Sequence, residues 1–390
     1  MWGDIAIAFL LAFITSFVGT PYTIKLAKKL GTIDMPNDRR VNKVPIPRLG
    51  GIAVITGFIV SAIYLVITMS VEGQFDLNDP ENYKMKLLGF FLGIIIIMVA
   101  GLLDDIKDLK PWIKLLAQIG AAAVIYVFGI RIDAINEVPL HPAVSFILTM
   151  GWIIGITNAV NLIDGLDGLS SGTSLISCVA LLLIFATNGS PIIAVILITC
   201  LAGAIVGFLP FNIHPAKTFI GDAGSQFLGF ALSIIAMLGV AKTVTLVVLI
   251  APILVLGLPI FDTIFAIIRR IVKGKSIKAV FKADRGHIHH RLMRMGYTQS
   301  QAVAILYAIS ATLGLFAVIL IDNGIVKAAS FMIAIVVVFM IGSSELAKYK
   351  EELVKENIKL GLVDPKDMID PDENEKSTKK ETKNGKRKSN

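Results

Sequence analysis

Charge is scarce in this chain. Asp, Glu, Lys and Arg make up 17% of its 390 residues, against about 25% in an ordinary soluble domain. That share is also uneven: twelve of the 37 Lys and Arg and eleven of the 29 Asp and Glu follow Ser344. What precedes them is too apolar for a water-soluble globule, and the mean hydropathy of the whole chain is +0.76. Cysteine is almost absent. Cys178 and Cys200 each sit in an apolar run without a partner at metal spacing. A disulfide framework is therefore not expected, and both read as small buried hydrophobes. No Walker loop and no dinucleotide fingerprint occurs, so any nucleotide must be held in another way. No internal repeat is found, which argues against a transporter built from repeated halves. The net charge of +8 does not mark a nucleic-acid binder, because the basic residues fall in loops between apolar runs. Orientation in a bilayer accounts for that placement, and no nucleic-acid partner is expected.

What is present is apolar length. Runs of about 17–25 apolar residues read as transmembrane helices. Eleven are expected, near 4–24, 50–71, 86–103, 112–130, 143–163, 169–187, 191–210, 223–240, 243–268, 302–321 and 325–343. The fold class is therefore all-α, a polytopic membrane helix bundle. Asp4 precedes the first run and Lys25, Lys28 and Lys29 follow it, the reverse of a cleaved signal peptide. Residues 1–344 form the expected transmembrane domain. Residues 345–390 form a charged tail with too few apolar residues to bury a core, expected to be largely disordered.

Basic residues alternate with the runs. Lys25, Lys28, Lys29, Arg39, Arg40, Lys43 and Arg48 follow the first run, and Arg269, Arg270, Lys273, Lys275, Lys278, Lys282, Arg285, Arg291 and Arg294 follow the ninth. The loop after the second run is acidic instead, with Glu72, Asp76, Asp79 and Glu81. Positive residues stay inside, so the N-terminus is expected outside the membrane, with the odd-numbered loops and the tail in the cytosol.

Four polar clusters stand at ends of runs, all on that expected cytosolic side. Ionisable residues at such places default to function. The first holds Asp104, Asp105 and Asp108, with Lys114 close enough to reach back. Adjacent carboxylates repel unless a cation offsets them; a solvated loop of mixed charge is the plain alternative. The second is Asn158, Asn161, Asp164 and Asp167, one every third residue, with Gly165 and Gly168 between. On one continuous helix each such step drifts about 60°. The glycines are expected to end the helix and turn the chain, gathering the oxygens. A capped turn alone needs fewer oxygens.

The third cluster runs from Phe211 and Asn212 through Phe219 to Asp222 and Ser225. Gly221, Ala223 and Gly224 are expected to leave backbone N–H groups open for a phosphate at a helix start. Asp222 among them suits a hard cation, and Phe219 offers a stacking face. An ordinary N-cap is the plain reading. The fourth is Asp284, Arg285, His287, His289, His290 and Arg291. Zinc lacks a fourth ligand at finger spacing there; contacts to a diphosphate suit the cluster better. Asp262 lies about 10 Å inside the ninth run and needs a partner or a wet cleft. Pro252 and Pro259 should bend that run.

Asp104-Asp105-x-x-Asp108, Asn158-x-x-Asn161-x-x-Asp164-Gly-x-Asp167-Gly-Leu169 and Phe219-x-Gly221-Asp222-x-Gly224-Ser225, in this order, resemble the polyprenyl-phosphate N-acetylhexosamine-1-phosphate transferases. Pro45-Ile-Pro47-Arg48-Leu-Gly50-Gly51 resembles that family's early cytosolic motif. The resemblance covers about Asp34 to Arg294. It implies a Mg-dependent phosphoglycosyl transferase on an integral-membrane scaffold. Magnesium, with manganese an allowed substitute, would lie nearest Asp222 and Asn161. Asp104, Asp105 and Lys114 would be catalytic, with Lys114 on the diphosphate. Asp164, Asp167, Asn212 and Phe219 would hold substrate, with uracil on Phe219. His287, His289, His290 and Arg291 would meet the sugar and phosphates. Ile288 interrupts the His run, which resembles the N-acetylglucosamine branch that begins teichoic acid or O-antigen. The muramoyl-pentapeptide branch, with three consecutive His, ranks second. The implied partners are UDP-N-acetylglucosamine, polyprenyl phosphate and the bilayer, and a homodimer is compatible with such a bundle.

Overall fold

The computed structural model describes residues 2–36, 42, 44–73, 83–135, 138–240, 246–274 and 286–336. Asp284, Arg285, residues 337–343 of the last expected span and the tail 345–390 lie outside them. Twelve helices carry the described part of residues 1–328: α1 (Trp2–Leu30), α2 (Gly50–Val71), α3 (Tyr83–Lys107), α4 (Pro111–Val127), α5 (Pro142–Ile163), α6 (Leu169–Thr187), α7 (Ile192–Asn212), α8 (Gly221–Val240), α9 (Leu246–Val255), α10 (Gly257–Gly274), α11 (Ile288–Arg294) and α12 (Gln299–Asn323). The only strands among the described residues are two short hairpins. The all-α expectation holds.

Eight of these helices are long and apolar enough to cross a membrane: α1, α2, α3, α5, α6, α7, α8 and α12. α4 and a further apolar helix at Ile325–Val336 are shorter. The ninth expected span, 243–268, is not one helix. It breaks at Leu256 into α9 and α10. Pro259 has no N–H to donate to Val255, and its ring crowds that carbonyl; the expected bend falls here, with Leu256 still bonded on both sides, its N–H to the Pro252 carbonyl (2.9 Å) and its carbonyl to the Ile260 N–H (3.2 Å).

α7 is apolar on every side, so it can be enclosed by other helices, and with α8 it forms the centre of the bundle. Close helix approach follows from small residues. A Cβ at Gly203 would lie 2.4 Å from the Phe9 carbonyl oxygen, and one at Gly207 would lie 2.4 Å from that of Phe13. Phe58, Phe90, Phe227 and Phe230 fill the space between α2, α3 and α8, with Phe58 and Phe227 ring centres 5.5 Å apart. Leu10, Ile14, Phe17, Val18 and Tyr22 of α1 face outward, which only an apolar solvent tolerates at this density.

Two connections place the site. The antiparallel hairpin β1 (Ile33–Asp34) and β2 (Ile46–Pro47) carries Asp34 to the head of α2. Gly50 N–H then donates to the Phe219 carbonyl (3.0 Å) and Gly51 N–H to that of Ile220 (2.8 Å), which straps this hairpin to the start of α8.

Candidate active site

Asp222 stands in the first turn of α8. Gly221 before it has φ 72°, and a Cβ there would strike the Arg48 carbonyl oxygen at 2.0 Å and the Asp105 carboxylate at 2.7 Å. Only glycine permits that approach. Asp105, buried on α3, uses it. Its Oδ1 accepts the N–H of Asp222 (2.8 Å) and its Oδ2 that of Ala223 (3.1 Å). The expected open helix start for a phosphate is therefore corrected: a carboxylate from another helix already caps it. A helix N-terminus favours an anion, and here the chain supplies its own.

Asp104 is equally committed. Its Oδ1 accepts the Leu109 N–H at 2.7 Å, and its Oδ2 is paired with Lys114. Lys114 thus reaches back to Asp104, and its ammonium lies 3.6 Å from Asp222 Oδ1. From α5, Asn161 Nδ2 donates to that same oxygen (2.8 Å) and to the Ser225 hydroxyl (2.8 Å). Arg48 Nη2 donates to the other oxygen, Oδ2, at 3.1 Å. Asn158 is turned away, with Nδ2 donating to Gln118 Oε1 at 2.6 Å, as the 60° drift on a continuous helix requires.

α5 ends at Ile163 and α6 begins at Leu169, with Gly168 at φ 74° in the turn between them. Asn161, Asp164 and Asp167 reach the same cavity as expected; Asn158, expected with them, does not. Asp164 Oδ1 accepts the Ser170 hydroxyl at 2.6 Å. Burial pushes its carboxyl up to about 7, against that hydroxyl's opposing pull. Asp167 Oδ2 meets His214 Nδ1 at 2.7 Å and accepts the Ala216 N–H at 3.1 Å. Asn212 is buried: its oxygen accepts the Ser171 hydroxyl (2.8 Å), and its amide donates to the Thr218 carbonyl (3.0 Å). The Phe219 backbone is pinned by its N–H to the Pro47 carbonyl at 2.8 Å.

The His cluster closes the other side. Asp262 of α10 finds the partner its depth demanded: Oδ2 lies 2.7 Å from His287 Nδ1, and Oδ1 accepts the Ile288 N–H at 2.8 Å. His289 is buried against Gly165, with neither ring nitrogen hydrogen-bonded among the described residues. Burial holds its imidazole down at about 3, so it is neutral. The His290 ring lies beside it, tilted by 45° with ring centres 4.2 Å apart.

These elements enclose a cavity of about 300 Å³, lined by Asp34, Asn42, Arg48, Asn161, Asp164, Gly165, Leu166, Asp167, Asn212, Phe219, Gly221, Asp222, His290 and Gln299. Asn161, Asp164, Asp167, Asn212, Phe219, Asp222 and His290 are thus brought to one wall. Asp104, Asp105, Lys114, His287 and His289 stand behind it, and Arg291 is exposed outside it. Sequence reasoning missed Asp34, Asn42, Arg48 and Gln299. Arg48 had a signal, an arginine inside a Pro- and Gly-rich segment directly before a span; the other three had none.

A divalent cation fits this wall. Among the described residues no three His, Cys, Asp or Glu converge as a cage. Magnesium does not need one: it takes one or two carboxylates and completes its shell with water and substrate oxygens. Both oxygens of Asp222 already face cationic nitrogens of Arg48 and Lys114. Asn161 points its amide nitrogen at Asp222, and would turn over to offer its oxygen.

Bundle and cavity together define a class: a polytopic membrane protein with a carboxylate-lined polar cavity at one end of its helices. The profile of glycosyl transferase family 4 matches residues 87–240. A Bacillus subtilis protein, named as a probable undecaprenyl-phosphate N-acetylglucosaminyl 1-phosphate transferase, is 36% identical over 345 residues, 86% of this chain and 90% of its own. The Mycobacterium tuberculosis decaprenyl-phosphate N-acetylglucosaminephosphotransferase is 31% identical, over 78% of this chain and 79% of its own. A phospho-N-acetylmuramoyl-pentapeptide-transferase of Halalkalibacterium halodurans is 31% identical, over 70% of this chain and 83% of its own. The chain belongs to the polyprenyl-phosphate N-acetylglucosamine-1-phosphate transferase family. It is a multi-pass membrane enzyme of phospho-sugar transfer.

Proposed function

We propose that the chain transfers N-acetylglucosamine 1-phosphate from UDP-N-acetylglucosamine to undecaprenyl or another polyprenyl phosphate, releasing UMP. This would be the first membrane step of a cell-wall or surface polysaccharide such as teichoic acid, carried out at the cytosolic face. The observation that carries the reading is the cavity wall itself, where Asp222, Asn161, Asp164, Asp167, Arg48 and Phe219 meet.

The lipid phosphate carries about −1.5 to −2 charges at neutral pH. One of its oxygens attacks the β-phosphorus, a new P–O bond forms, and the bond to the oxygen bridging the two phosphorus atoms breaks. UMP leaves with that oxygen. No proton must be removed first, so the residues have to align two anions and offset their charge. Asp222 and Asn161 would hold magnesium, which would supply positive charge to the diphosphate. Asp105 fixes Asp222 through the α8 backbone. Asp104 fixes Lys114, which adds charge from behind the wall. Phe219 offers its face to uracil, with Asp167 beside it. His290 would meet the sugar phosphate from a helix anchored by the Asp262–His287 pair.

Ile288 between His287 and His289, and the names of the first two relatives above, favour the N-acetylglucosamine donor over the muramoyl-pentapeptide nucleotide. The test is purified protein with polyprenyl phosphate, magnesium and a panel of UDP-sugars, with release of UMP as the readout. Turnover of UDP-N-acetylglucosamine is expected. Preference for the pentapeptide nucleotide would overturn the reading.

A further inference from the structure

Arg48 is the one permanently cationic side chain among the described residues of the cavity wall. Four carboxylates share that wall: Asp34, Asp164, Asp167 and Asp222. A diphosphate entering there meets like charge, and Arg48 is the group placed to offset it.

The backbone beneath Arg48 is fixed from both sides. Its N–H donates to the Thr32 carbonyl at 3.1 Å, and the preceding Pro47 carbonyl accepts the Phe219 N–H at 2.8 Å. The guanidinium, by contrast, is loosely spent. Nη2 lies 3.1 Å from Asp222 Oδ2 and 3.7 Å from Asp105 Oδ1. Nε is 3.6 Å from Asp34, and Nη1 is 3.8 Å from the exposed Asp108. Of these contacts only the one to Asp222 has hydrogen-bond length. An arginine presents about five N–H donors in a planar fork suited to phosphate oxygens, and the side chain is 18% exposed.

We propose that Arg48 exchanges partners in each turnover: it holds Oδ2 of Asp222 before substrate binds, then yields that oxygen to the divalent cation and turns its fork onto the diphosphate of the nucleotide sugar. The inference rests on the reading of Asp222 as a metal ligand. It makes Arg48 a competitor of the metal and an ally of the substrate, so its removal acts on the two with opposite signs. A guanidinium that only braces the acidic residues would, when lost, weaken both.

The experiment uses full-length protein in detergent, with monodispersity checked by size exclusion. Manganese binding is read by electron paramagnetic resonance without substrate, and UDP-N-acetylglucosamine binding by calorimetry. Arg48→Gln should bind manganese about two- to fivefold more tightly, the worth of one partly exposed ion pair. It should bind the nucleotide sugar about tenfold more weakly, the worth of a charged hydrogen bond. Arg48→Lys keeps the charge without the fork, so its manganese affinity should stay near wild type while the nucleotide sugar still weakens. Asp222→Asn should lose manganese. If it binds manganese like wild type, the metal assignment fails and the exchange with it. If Asp222→Asn loses the metal but Arg48→Gln weakens or leaves unchanged its manganese affinity, Arg48 is a brace and the proposal is overturned. Should Arg48→Gln not be monodisperse, wild-type affinity of Arg48→Lys for the nucleotide sugar overturns it.

Discussion

The imidazole of His289 lies against Gly165 so closely that a Cβ on Gly165 would fall 2.3 Å from Nε2. This contact joins the turn after α5 to α11, two segments more than a hundred residues apart. It also sets where His290 enters the cavity.

Gly165→Ala should therefore push α11 away from the wall without emptying the core. Because the obstruction is a buried ring, the helix must move by a good part of an ångström, and misplacement by about 1 Å can cost roughly 100-fold in rate. The expected outcome is a 10- to 100-fold loss, by order of magnitude, in kcat/KM with thermal stability little changed. Steady-state kinetics beside a thermal melt would check it. Near wild-type kinetics would show that His290 has no part in turnover.

Asp105→Asn tests a different coupling. Both Asp105 oxygens accept backbone N–H groups of α8. An amide keeps one acceptor and turns a donor on the other N–H, which costs about 1–3 kcal/mol. The rate should fall as Asp222 shifts. The acidic limb of the pH–rate profile should survive, because it belongs to the lipid phosphate, with its second pKa near about 6. Loss of that limb in the variant, with chemistry rate-limiting, would make Asp105 the titrating base.

His289 gives a stability prediction with a definite sign. Its folded-state pKa is depressed to about 3 by burial, while an unfolded His titrates near about 6.5. Between those values the unfolded chain binds the proton and the folded chain does not. Stability is thus complete above about pH 6.5 and falls as pH falls through that window. Between pH 7 and 5 this one group should cost about 2 kcal/mol. Thermal unfolding of His289→Asn at the two pH values should show a smaller drop than wild type. An equal drop would mean that His289 is charged or paired in solution.

Orientation is checked by labelling. A cysteine replacing Asn78 should react with an impermeant reagent from outside intact cells, and one replacing Lys275 should not. Cys178 and Cys200 are both buried and add no background. The reverse pattern would move the proposed site to the opposite face.

Much of the bundle was legible in the sequence. A helix in lipid must satisfy its own backbone and show apolar side chains all round, so the runs at 50–71, 143–163, 169–187 and 191–210 reappear within a residue or two. Span nine was harder, because hydropathy sums over side chains and does not register the N–H that Pro259 lacks. The Asn161–Asp164–Asp167 turn was readable because Gly165 and Gly168 mark where a helix must stop. Arg48 was not singled out as a site residue, since its partners Asp34, Asp105 and Asp222 come from three separate stretches of chain.

The amino-acid sequence by itself determined the membrane-helix class and the four polar clusters, because both are local: apolar length and residue spacing are properties of short segments. Only the tertiary structure decided which group does which task. It spent the α8 N-terminus on Asp105, gave Asp262 to His287, put Asp104 and Lys114 behind the wall and set Arg48 in it. Each of these assignments depends on the donor and acceptor that packing brings within about 3 Å, and neither sequence spacing nor composition carries that distance.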